Sequence, residues 1–211
     1  MNYATVSIPS AFPIENRPVV IHNVAAMSRK NKDTAYPAIA SGVATILSRH
    51  PQHRILVHTV SYDLNRFLVD SLRSSVHFGR IVTYDKAQEK SRAVKSYLRK
   101  DNAALFAPSL DRGIDLPGDD CRVIIVCKIP FPSLGDKQIS TKLYRKGGQL
   151  WYSVKTVRSL VQMTGRGMRS EADSCTTYIL DSQFIEQIWR RNKHLLPQWW
   201  KDAVNMQAPP L

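Results

Sequence analysis

Gln162, Arg166 and Arg169, within Gln162-Met-Thr-Gly-Arg-Gly-Met-Arg169, are the side chains of this sequence best placed to act on a charged substrate. If one helix carries them, their spacing of i, i+4 and i+7 sets an amide and two guanidiniums on a single face. Val154, Val157, Leu160, Val161 and Met168 recur at helical spacing on a different face, which would pack on a core and hold the polar row outward. Guanidinium keeps its proton and offers a planar fork of donors, so it stabilises charge spreading over phosphoryl oxygens without any proton transfer. A solvated basic helix face has the same spacing, so the row alone leaves both readings open.

The charge balance points the same way. Thirty Lys and Arg stand against 17 Asp and Glu, a net charge of +13 over 211 residues. No acidic residue occurs from Lys137 to Ser170, a stretch that holds Lys137, Lys142, Arg145, Lys146, Lys155, Arg158, Arg166 and Arg169. Such a surface predicts nucleic acid as partner. No run approaches the ~18 apolar residues of a spanning helix, which argues against a membrane partner. Cys121, Cys127 and Cys175 have no metal-ligand spacing and no even pairing. They argue against zinc or an iron-sulfur cluster and fit packing roles in a reducing cytoplasm.

With 43% hydrophobic residues the chain can bury a core as one domain. Strand and helix patterns alternate. Val19 to Val24, Ile55 to Thr59, Ile81 to Tyr84, Ala103 to Ala107, Val123 to Cys127 and Thr176 to Leu180 read as strands, with helical patterns between them. The near-continuous apolar runs predict strands covered on both faces, hence an α/β fold: a three-layer parallel sheet with helices on both sides. Ligands of such sheets bind beyond the carboxyl ends of the strands, which singles out three loops. His58-Thr59-Val60-Ser61-Tyr62 brings hydroxyls and amides to a helix N-terminus, where Ser61 equally suits an ordinary cap. Ala107 to Gly118 carries Ser109, Gly113 and Asp115, a turn-rich connection able to approach a ligand closely. Lys128-Ile-Pro-Phe-Pro132 presents a Pro-flanked Phe that suits either a core plug or a stacking surface.

In this order, the loops and the arginine motif resemble the C-terminal RecA-like domain of superfamily 2 DNA helicases, in the group that includes XPD and DinG. Leu56 to Tyr62 is similar to motif IV, Ala107 to Gly118 to motif V, and Gln162 to Arg169 to motif VI; Trp151-Tyr152 precedes the last and Asp173 follows it. The resemblance implies that ATP, with its Mg²⁺, lies between two such domains. Arg166 and Arg169 would then contact its phosphates, Gln162 would position the phosphate end or the attacking water, and Gly113 and Asp115 would sit near the nucleotide. It further implies that single-stranded or forked DNA is bound by Thr59, Ser61, Tyr62, Ser109, Lys128, Lys155 and Arg158. Many members carry Trp-Glu before the motif V glycine, where this chain has Asp111-Arg112, a departure at the position that couples nucleotide to DNA.

No Gly-x-x-x-x-Gly-Lys-Ser/Thr occurs in the 211 residues, and no acidic quartet of the Asp-Glu-Ala-His kind. A phosphate cradle and the carboxylates for Mg²⁺ would therefore come from a P-loop motor domain in the same or a separate chain. Phe12-Pro-Ile-Glu-Asn-Arg17 resembles the passage out of such a first motor domain, which makes residues 1–17 a linker. Residues 18–190 then form the RecA-like domain, and 191–211 a C-terminal helix and tail. The expected chain is half of a split helicase, a truncated product or a domain fragment, inactive alone. A nucleic-acid-binding adaptor on the same scaffold, using its arginines on phosphate backbone, is the rival expectation.

Overall fold

In the computed structural model, which describes residues 9–109 and 116–207, seven parallel strands form one sheet in the order β3-β4-β2-β5-β6-β1-β7. They are β1 (Val19–Ala25), β2 (Ile55–His58), β3 (Ile81–Thr83), β4 (Ala104–Ala107), β5 (Val123–Val126), β6 (Thr176–Asp181) and β7 (Val204–Asn205). The helices are α1 (Lys32–Arg49), α2 (Tyr62–Ser71), α3 (Lys90–Leu98), α4 (Lys137–Leu143), α5 (Gly148–Thr164) and α6 (Gln198–Asp202). Residues β2, β4 and β5 are buried at every position, as their unbroken apolar runs predict for strands covered on both faces.

Alternation along each strand divides the core into two layers. Ile55, Val57, Phe106 and Ile125 pack with Ile39, Val43, Leu64 and Leu68 of α1 and α2. Leu56, Leu105, Ile124 and Ile179 face the other way, against Tyr97 of α3 and Val157 and Leu160 of α5. The connection leaving β2 thus runs to one face and that leaving β5 to the other. β2 and β5 are neighbours in register, Ile55 opposite Val123, so a crevice opens between their carboxyl ends.

The arginine motif departs from the helical expectation. α5 stops at Thr164, and Gly165 takes the C-cap position. Gln162 lies in the last turn of α5 and Arg166 and Arg169 beyond it, and the three do not form one face: Gln162 and Arg169 are exposed, whereas Arg166 is buried. The physical reason lies in the glycines. Gly165 and Gly167 weaken helix propagation, and Gly167 is drawn against Cys121 and Cys175, a close approach that only a residue without Cβ allows.

The chain ends close on the same body. Trp200 of α6 is buried and its Nε1 donates to Thr164 Oγ1 at 2.8 Å, while Val19 N donates to the Ala203 carbonyl at 2.8 Å. Arg17 Nη1 donates to the Trp199 carbonyl at 2.7 Å, and its guanidinium lies 5.5 Å from the Trp199 ring. Residues 198–205 therefore complete the β1 side of the sheet. No helix among the described residues is long and apolar enough to cross a membrane.

Candidate nucleotide and nucleic-acid sites

A groove of about 1060 Å³ lies along the carboxyl ends of β1, β2, β5 and β6. Its lining includes Arg29, Lys32, Val60 and Ser61 together with Lys128, Phe131 and Tyr152. Phe131 stacks on Tyr152 with ring centroids 6.2 Å apart and planes 9° apart, and Tyr152 Oη donates to the Pro132 carbonyl at 2.9 Å. The Pro-flanked Phe is thus half-buried by its stack yet still lines the groove. Asp63, the carboxylate in the lining, is held by Lys32 at 2.7 Å and by the Tyr36 hydroxyl at 3.1 Å. Those bonds hold its carboxyl below the usual range, and Arg29 and Lys128 add positive charge.

Two features fix the groove. Asp181, buried at the end of β6, accepts the amides of Met27 at 3.0 Å and Gln183 at 3.0 Å through Oδ1 and of Ile129 at 2.8 Å through Oδ2. One carboxylate thereby ties the loops after β1 and β5 to the start of the π-helical segment Phe184–Arg190. Burial pushes its pKa up, against the pull of those three amides. Val60 has φ of 62°, the one non-glycine residue with positive φ among the described residues. For a β-branched residue that is a strained conformation, and it lies in the groove wall.

The sequence-derived DNA contacts separate on this surface. Ser61 caps α2, accepting the Leu64 amide at 3.2 Å, and also lines the groove with Lys128. Thr59 is turned inward: it is fully buried and donates to Asn65 Oδ1 at 3.1 Å, a bond that ties the loop to α2. The Tyr62 hydroxyl meets Ser109 Oγ at 3.2 Å, with Tyr84 at 3.5 Å from the same atom. Lys155 and Arg158 are exposed on α5 and do not line the groove. Gly113 and Asp115 lie outside the described residues. Asp181, Val60, Arg29 and Lys32 were not singled out from sequence. A lone Asp closing the apolar run of β6 is a signal for the first, whereas a backbone angle such as that of Val60 leaves none.

The second site surrounds the arginines. Asp173 Oδ2 accepts the amides of Arg169 and Ser170, each at 2.8 Å, and the carboxylate also bonds the Gly118 backbone. It thereby joins the end of the Ala107–Gly118 loop to the arginine motif. These amides hold the Asp173 carboxyl below the usual range. Arg169 stays exposed and lines an apolar hollow of about 260 Å³ with Phe12, Arg17, Met168 and Trp199. Arg166 lies behind, beside the fully buried His58 at the end of β2. His58 connects the two sites: it immediately precedes the groove wall and hydrogen-bonds the Met163 backbone.

Residues 43–203 match the family described as Helicase C-terminal domain. The chain belongs to that family. ATP-dependent DNA helicase CHL1 of the yeast Vanderwaltozyma polyspora is 23% identical over 75% of this chain and 22% of its own length. ATP-dependent DNA helicase XPD of Sulfolobus acidocaldarius is 26% identical over 39% of this chain and 17% of its own length. The chain thus spans about a fifth of these relatives. The solved structure of S. tokodaii Xpd4 superposes with a TM-score of 0.62 at 14% identity, covering 91% of this chain and 38% of that one. The fold is that of a RecA-like helicase C-terminal domain. Among the described residues no group of three or more His, Cys, Asp or Glu could hold a metal ion, and the three cysteines are free and buried.

Proposed function

We propose that this helicase C-terminal domain works as the second motor domain of an ATP-dependent DNA helicase, giving arginines to the nucleotide and a groove to single-stranded DNA. The observation that carries the reading is the exposed Arg169 guanidinium on a backbone pinned by Asp173, with the apolar hollow beside it. A fixed guanidinium needs little reorganisation as charge develops on a transferring phosphoryl group. ATP would lie against Arg169, with its Mg²⁺ held mainly by the P-loop domain, and Gln162, exposed on the last turn of α5, would orient water. Arg29, Lys128 and the Phe131–Tyr152 stack suit a sequence-independent strand contact, with cations for phosphates and a ring for bases.

The 211 residues lack a P-loop lysine, so this reading makes the chain alone inactive toward ATP. Reconstitution with a compatible P-loop domain, as a fusion or in trans, is the test. Arg169→Ala should lower DNA-stimulated ATPase by a factor on the order of 10³ with single-stranded DNA affinity nearly unchanged, and Arg169→Lys should not restore it, because an ammonium lacks the planar fork. Normal ATPase with impaired DNA binding would remove the motor assignment and favour the adaptor.

A further inference from the structure

A concentration of positive charge lies outside the groove, at the corner where α4 turns into α5. Lys137, Lys142, Arg145 and Lys146 line a hollow of about 620 Å³ together with Trp151. Trp151 gathers one of these cations and a lysine from its own helix: Lys142 Nζ lies 4.3 Å and Lys155 Nζ 5.3 Å from its ring centroid. Among the described residues no carboxylate lines the hollow. The nearest one in sequence, Asp136, is spent on the α4 cap, accepting the amides of Gln138 at 2.8 Å and Ile139 at 3.4 Å. Holding like charges at this density disfavours the free protein, a cost that a polyanion removes.

The corner is continuous with the groove. Phe131 to Gly135 form the groove wall, Lys137 opens the hollow, and Asp136 alone stands between them. Tyr152, in the groove, and Trp151, in the hollow, are successive residues of α5. Tyr144, 80% exposed at the tip of the corner, offers a ring on which a base can stack.

We propose that the α4–α5 corner is a second DNA contact, which receives the phosphate backbone of the single strand as it leaves the groove past Phe131 and Tyr152. The inference rests on the groove being a DNA site, and it adds a separate surface that extends the bound length of strand. An acidic protein segment would satisfy the charges, but neither the continuity with the groove nor the exposed ring would serve it.

The test is fluorescence anisotropy of the full chain with oligothymidylates of increasing length. The variant combines Lys137→Gln, Arg145→Gln and Lys146→Gln, all exposed positions; at Lys137 the change also removes a cation from a helix N-terminus, where it is unfavourable. For the shortest oligomers that bind, the variant should match the unaltered chain. For longer ones it should lose the gain in affinity, and its log-log salt slope should be shallower by up to about 2, from three phosphate contacts at roughly 0.7 each. Lys146→Glu should reproduce the loss more strongly than Lys146→Gln. Equal affinity and equal slope at every length would overturn the proposal, as would displacement of long oligomers by polyglutamate at matched charge. Lys128→Gln with Phe131→Ala separates the two readings. If short-oligomer binding survives that change, the groove assignment fails and the exit path with it, whereas short-oligomer binding lost by this change with the length increment intact in the corner variant overturns the corner alone.

Discussion

His58 lies buried against Arg166, and burial first, then the neighbouring guanidinium, hold its imidazole at a pKa of about 3. The residue closing β2 is therefore neutral in the folded chain. In the unfolded chain it takes a proton near 6.5. Because the folded value lies below the unfolded one, its contribution to stability is complete above about pH 6.5 and is lost as pH falls toward the folded value, at up to ~1.4 kcal/mol per pH unit. His22, His50 and His77 are lowered too, chiefly by burial, and add to the same slope. Urea denaturation of the parent and of His58→Gln between pH 7 and pH 5 should give curves whose slopes differ by about one proton. Parallel curves would show that His58 titrates alike in both states.

Asp173 makes a different prediction, because its charge holds backbone in place through the amides it accepts. Replacing it with Ala leaves the Arg169 and Ser170 amides without their acceptor and frees the segment that aims Arg169. In the reconstituted motor, Asp173→Ala should lower DNA-stimulated ATPase by a factor on the order of 10², the effect expected of a misplaced catalytic group. Asp173→Asn keeps an acceptor oxygen and should retain most activity. Since the carboxyl is held below its usual range, its contribution is present at neutral pH and falls away only as pH drops through that lowered value. An Ala variant as active as the Asn variant would show that Arg169 needs no such support.

Val60 reverses an ordinary ranking. Glycine is normally less stable than alanine within regular structure by about 0.5–1 kcal/mol. At φ of 62° the alanine keeps the left-handed strain and glycine does not, so Val60→Gly should be more stable than Val60→Ala. Chemical denaturation of the two variants decides it. Alanine ranking above glycine would mean the loop relaxes out of the strained conformation once the valine is gone.

How far sequence reaches into this molecule depends on what carries the information. β2, β4 and β5 are legible because burial on both faces forces unbroken apolar runs. The end of α5 is not, because Met168 keeps the apolar period going past Thr164 and a glycine inside a periodic pattern does not by itself mark an end. β7, two residues long, is too short to carry a pattern and exists because Trp200 and Ala203 anchor it beside β1. In the groove, Lys128 and Phe131 could be found from their place after a strand. Arg29, Lys32 and Gln183 come from segments after other strands, Lys32 from the first turn of α1, and only the order of the strands brings them to the same edge.

Gly167 yields the sharpest steric prediction. It stands between Arg166 and Arg169, and a Cβ built on it would fall onto the Cys121 carbonyl oxygen, 2.6 Å from Cys175 Sγ and 2.8 Å from Cys175 Cβ. Cys121 precedes β5 and Cys175 precedes β6, so neither can retreat without disturbing the start of a central strand. Gly167→Ala should therefore destabilise the chain by about 3 kcal/mol, the upper part of the range for overpacking. Adding Cys175→Ala removes the sulfur but leaves the carbonyl oxygen and the Cβ in place, so the double variant should recover only a small part of that loss. In the reconstituted motor the displaced segment should carry both arginines out of position, while short-oligomer binding in the groove persists. A Gly167→Ala chain within about 0.5 kcal/mol of the parent, the usual span for a surface substitution, would show that the motif is not seated against the cysteines.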